Sequence, residues 1–102
     1  MHTTITARHC DIPDALRERA LQVTERLGSL ASRPLDAAVT FEADGLGRRV
    51  ELRLHDSRGE LFVATGEAPD HRTALDRAEE KLRRQLEKAN GRPRRSRPSR
   101  PA

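Results

Sequence analysis

Arg77, Lys81, Arg84 and Lys88 recur at spacings of four, three and four, and are the side chains best placed to act together on a ligand. On a helix advancing about 100° per residue they fall within an arc of about 60°, a single cationic ridge. Ala74, Leu75, Ala78, Leu82, Leu86 and Ala89 centre about 130° away, while Asp76, Glu79, Glu80 and Glu87 hold a separate sector. Like charges at i,i+4, Arg77 with Lys81 and Arg84 with Lys88, cost an isolated helix about 0.2–0.5 kcal/mol per pair. A polyanionic partner offsets that cost, because each neutralised phosphate adds salt-dependent affinity. Two structural explanations fit the same wheel: cations near a helix C-terminus favour the macrodipole, and Glu80 to Arg84 is an ordinary i,i+4 ion pair. Upstream, Arg17, Arg19 and Arg26 are interleaved with Glu18 and Glu25 and are less sharply sorted.

Other chemistries find little support. His2, His9, His55, His71 and Cys10 are metal-ligand types, yet no pair has the close two-arm spacing of a structural zinc site. No nucleophile elbow, phosphate-binding glycine loop or isolated carboxylate pair in an apolar setting appears, so neither catalysis, a cofactor nor a small-molecule substrate is expected. His9-Cys10 reads as a strand end and loop, with Cys10 a small buried side chain. A lone cysteine cannot form an internal disulfide and fits a reducing compartment. No apolar run is long enough for a bilayer, and Met1-His2-Thr3-Thr4 lacks the basic and apolar regions of a signal peptide. A cytoplasmic protein with no membrane partner is the expectation.

The elements that must carry the ridge follow from periodicity. Thr3-Thr4-Ile5-Thr6-Ala7 is rich in β-branched residues and reads as a short strand. Asp11, Pro13 and Asp14 supply a candidate N-cap, an early proline and a first-turn acid. Ile12, Leu16, Ala20, Val23, Leu27 and Leu30 then mark the apolar stripe of a helix ending near Leu30. From Leu35 the pattern alternates. Ala37, Val39 and Phe41, then Val50, Leu52 and Leu54, then Leu61 and Val63 are expected on the covered face of three strands joined by Asp44-Gly45-Leu46-Gly47 and Asp56-Ser57-Arg58-Gly59. Thr40, Glu42, Arg49, Glu51 and Arg53 occupy the wet face. The second helix opens after Asp70 as N-cap and is expected to end at Asn90-Gly91. The order β-α-β-β-β-α predicts an α+β fold: a two-layer sandwich with a four-stranded sheet and both helices on one face.

The chain of 102 residues suits one small domain, expected over residues 1–90, with residues 91–102 a disordered basic tail. Apolar residues make up 34% against 35% charged, with two Phe and no Tyr or Trp, so the core must be built from Leu, Val, Ile and Ala. The tail holds five of the 20 Lys and Arg and none of the 16 acids, which leaves residues 1–90 with 15 basic and 16 acidic side chains. Any RNA-binding surface on the folded part must therefore come from sorting of charge rather than bulk basicity.

Ile5-Thr6-Ala7-Arg8-His9, followed by Ile12-Pro13-Asp14-Ala15-Leu16-Arg17-Glu18, resembles the opening of the ribosome hibernation promoting factor family. Asp70, Ala74-Leu75-Asp76, Glu80-Lys81-Leu82, Arg84-Gln85-Leu86 and Lys88 resemble that family's closing helix in type and spacing. With the Gly59-Glu60-Leu61 strand entry and the element order, the resemblance covers about residues 3–90. It implies a cytosolic bacterial factor that sits on the small ribosomal subunit against 16S rRNA and silences translation when growth slows. It also implies a fold like a double-stranded RNA-binding domain with an added N-terminal strand. Lys81, Arg84 and Lys88 match the family's basic positions on the second helix, and Arg17 and Arg26 match basic positions on the first. The chain departs from the family at Leu30-Ala31, where an aromatic pair is common, and at His71-Arg72, in place of Met-Tyr. In length it resembles the short form, and the further C-terminal domain of long members is not expected. A protein-interaction module modulating a transcription factor and a generic double-stranded RNA binder are the alternatives; nuclease sensitivity of ribosome co-sedimentation, and binding to duplex RNA, separate them.

Overall fold

The β-branched run near the N-terminus favours extended backbone, and β1 spans His2–Arg8. His9, at φ 59°, turns the chain out of the strand. Helix α1 follows over Asp14–Leu30. Its N-cap is Pro13 rather than Asp11: the extended Pro13 carbonyl accepts from the Leu16 and Arg17 amides at 3.0 and 3.1 Å, with no side-chain cap. The fixed proline φ starts the helix where the sequence alone suggested an Asp would. Strands β2 (Pro34–Asp44), β3 (Gly47–Asp56) and β4 (Leu61–Ala68) form an antiparallel meander, and α2 begins at His71. This computed structural model describes the backbone of residues 1–96 and the side chains of residues 1–90.

The sheet order is β1-β2-β3-β4, with β1 parallel to β2 and the other pairs antiparallel. Both helices cover one face, α1 over β1 and β2 and α2 over β3 and β4, giving the two-layer α+β architecture. Between them lie Phe41, Val39, Val50, Leu52 and Leu54 from the sheet, Val23 and Leu27 from α1, and Leu75, Leu82 and Leu86 from α2, all buried.

The structure corrects the expected β4 face by one residue. Phe62, Ala64, Gly66 and Ala68 face the helices, whereas Leu61 is 45% exposed and Val63 only half-buried. Gly66 explains the shift. A Cβ there would lie 2.1 Å from the Ala74 carbonyl oxygen and 2.6 Å from the Ala78 amide nitrogen, so α2 packs directly on strand backbone at this point. A face containing Ala64, Gly66 and Ala68 is weakly apolar by composition but is the one a close-packed helix requires.

The hairpin and cap chemistry agrees with the residues present. Gly45 and Gly59 have φ of 60° and 93° in the two connections. Buried Asp56 holds the second turn, its Oδ1 accepting from the Arg58 and Glu60 amides at 3.0 and 2.9 Å. Asp70 caps α2 as expected, its carboxylate accepting from the Thr73 amide and hydroxyl, each at 2.9 Å. Those bonds, the amide first, hold the Asp70 carboxyl below its ordinary pKa. The far end of α2 differs from expectation: the helix continues past Asn90-Gly91 to Ser96. The rest of the basic tail, residues 97–102, lies outside the described residues.

Candidate nucleic-acid interface

The two halves of α2 face different neighbours. One flank runs along β4, which is an edge strand whose outward carbonyls have no strand partner. Arg77 Nη1 donates to the Glu67 carbonyl at 2.6 Å, Lys81 Nζ to Thr65 at 2.8 Å and Gln85 Nε2 to Val63 at 2.8 Å. The ladder stays in step because four helix residues advance about 6 Å and two strand residues about 6.6 Å. Each cation keeps donors for a second acceptor: one Lys81 N–H is used out of three, and most of the Arg77 fork remains. Arg84 and Lys88 continue the same flank, both exposed, and Lys88 borders an open cleft with Glu60, Leu61, Phe62 and Gln85. The structure thus brings Arg77, Lys81, Arg84 and Lys88 into one strip, and adds Gln85, which a search for charge does not find.

The acids of α2 lie outside that strip and are paired, Asp76 and Glu79 to α1 and Glu80 and Glu87 within α2. Asp76 pairs with Arg19 at 3.0 Å and with Arg72 at 3.8 Å. Glu79 takes a bidentate fork from Arg26, with Nε and Nη2 at 3.1 and 3.0 Å from Oε2. Glu80 pairs with Arg83 and, at 3.2 Å, with Arg84, while Glu87 pairs with Arg83 at 3.1 Å. The Arg83 hydrogen bond, with the charges of Arg83 and Arg84, holds the Glu80 carboxyl below its ordinary pKa, and the same contact raises the Arg83 pKa. Among the described residues, Arg77, Lys81 and Lys88 have no carboxylate within ion-pair distance, although the Arg77 charge acts on Asp70, so the strip keeps its net positive charge.

The basic residues of α1 do not join that strip. Arg26 lies across the acidic sector, and its pair with Glu79, with that of Arg19 and Asp76, fixes α1 against α2. Asn90 adds a bond from Nδ2 to the Leu30 carbonyl at 2.7 Å. Arg17 is exposed, with no ion pair among the described residues. His71, at the start of α2, packs edge-on to Phe41 with ring centroids 5.4 Å apart, and its Nε2 lies 2.9 Å from the Glu42 carbonyl oxygen. It therefore seats the helix on β2, while the neighbouring Arg72 turns back to Asp76. Cys10 is half-buried, its thiol 3.6 Å from the Phe41 carbonyl oxygen. The described residues contain no metal-binding cluster and no helix long and apolar enough to cross a membrane.

Residues 3–94 match the family model described as sigma 54 modulation protein / S30EA ribosomal protein. The chain is similar to the ribosome hibernation promoting factor of Pseudomonas putida, 31% identical over 88 residues that cover 86% of this chain and 85% of that protein. The factor of the same name from Azotobacter vinelandii is 33% identical over 86 residues, 84% of this chain and 79% of that protein. Among solved structures, the N-terminal domain of Thermus thermophilus Protein Y superposes with a TM-score of 0.76 at 27% identity, covering 86% of this chain and 98% of that one.

Proposed function

The chain belongs to the sigma 54 modulation protein / S30EA ribosomal protein family of ribosome hibernation factors, and from that premise we propose that it binds 16S rRNA on the small ribosomal subunit and inhibits translation under stress or in stationary phase. The observation that carries this reading is the sorting of charge on α2. Asp76 and Glu79 are paired to α1, and Glu80 and Glu87 to Arg83 within α2, while Arg77, Lys81, Arg84 and Lys88 line the β4 side with Glu80, beside Arg84, the one acid bonded to them among the described residues. Two of these cations are already ordered by β4 carbonyls, which reduces the side-chain entropy lost when a phosphate arrives.

Arg17 supplies a further phosphate contact from α1. Arg26 contributes less directly, since its Nε and Nη2 hold Glu79 and only Nη1 remains for a phosphate. No step of bond making is involved; the factor works in the cytoplasm by occupying its site. Site-directed crosslinking from position 84 or 88 to purified small subunits tests this reading. Crosslinks confined to 16S rRNA are expected. Crosslinks confined to ribosomal or other proteins would replace RNA recognition by protein docking.

A further inference from the structure

The two edges of the sheet are finished differently. Side chains of α2 close the β4 edge, whereas no described residue donates a side-chain hydrogen bond to the backbone of β1, the opposite edge. The seven residues of β1 include no Pro, Gly or Lys, so its outer edge is a template for another strand. That strand is also complementary to itself. Paired antiparallel about Ile5, it sets Thr4 opposite Thr6, Thr3 opposite Ala7 and His2 opposite Arg8, and Thr pairs of this kind are favourable across strands.

The helix above β1 repeats the same two-fold match. A Cβ on Gly28 would meet the Met1 side chain at 3.0 Å, so this flank of α1 faces the β1 side. Leu21, seven residues earlier and so on nearly the same flank, is 40% exposed. It stands about 10 Å along α1 from Gly28, and Ile5 about 13 Å along β1 from Met1, so both fall near one level. An antiparallel copy of α1 centred on Leu21 places Arg17 against the partner's Glu25, and Glu25 against the partner's Arg17. Both residues are exposed and neither has an ion-pair partner among the described residues. Because α1 packs evenly on β1 and β2, joining two β1 strands about 4.8 Å apart sets the two α1 axes about 9–10 Å apart, an ordinary helix packing distance.

We propose that two copies of this chain associate through β1 into one continuous sheet, with Leu21 meeting the partner's Leu21 and two Arg17 to Glu25 pairs across the axis. One short edge and one helix flank bury less than the about 1,600 Å² of a standard stable interface, so the dimer is weak and concentration-dependent. Sedimentation velocity of the full chain, from micromolar to millimolar concentration at low ionic strength, tests it, with circular dichroism confirming the fold of each variant. The wild type is expected to sediment faster as concentration rises. Arg17→Glu, Glu25→Arg and Leu21→Asp should each stay monomeric, and the combined Arg17→Glu/Glu25→Arg chain should associate again. A wild type monomeric throughout, an association that survives Leu21→Asp, or a double variant that fails to regain it would overturn the proposal.

Discussion

Lys81 and Lys88 sit on the same flank of α2 but in different circumstances, and the difference sets what each substitution should do. Lys81 is tied to the Thr65 carbonyl, whereas Lys88 has no partner among the described residues. Lys88→Met should therefore weaken small-subunit binding without lowering Tm, and should reduce the slope of log affinity against log salt by about 0.7–0.9, the loss of one phosphate contact. Arg26→Met should show the reverse balance, with a smaller loss of binding and a lower Tm, because its fork to Glu79 joins the helices. Asp70 makes a pH prediction. Its carboxyl pKa is lowered in the fold by the Thr73 amide, so its contribution is present above the unfolded Asp pKa and lost as pH falls through the folded value. Thermal melts of Asp70→Ala should show a lower Tm than the wild type at neutral pH, with the gap closing in acid; a gap independent of pH would contradict the cap. The four-residue spacing made the ridge legible in the sequence. The roles of Gln85 and Arg26 were not, because each is defined by a group distant along the chain, the Val63 carbonyl and Glu79.

Among the elements, the helical stripes, the three meander strands and the order of elements along the chain could be read from periodicity, because each depends on neighbours three, four or two residues away. The covered face of β4 could not. Leu61 and Val63 are the more apolar pair, yet α2 takes the side with Gly66, because only a residue without Cβ admits the Ala74 and Ala78 backbone so closely. Gly66→Ala should consequently destabilise more than an ordinary overpacking change of about 1–3 kcal/mol, since backbone rather than a flexible side chain must move. Leu75→Ala, which leaves a hole in the core, should cost about 2–5 kcal/mol. Denaturant unfolding measures both, and a near-neutral Gly66→Ala would contradict the packing described. The extension of α2 to Ser96 also escaped the sequence reading, since Asn90-Gly91 is a stop signal by local chemistry alone.

For the whole molecule, net charge hides the sorting of charge: residues 1–90 are nearly neutral, yet Arg77, Lys81 and Lys88 line one flank of α2 without an ion pair among the described residues, while its acids are paired to α1 or within α2. The family and the sorted ridge were legible in the sequence; the preordering of the ridge by an edge strand was not, since it needs the register of α2 on β4. This strip is the proposed contact to 16S rRNA. Its most direct test is co-sedimentation of the wild type and the Lys81→Glu/Arg84→Glu/Lys88→Glu variant with purified small subunits across a salt series, with circular dichroism confirming both folds. The folded variant is expected not to sediment with subunits at salt concentrations where the wild type binds. Equal binding by both, with the same salt dependence, would contradict it and move recognition away from α2.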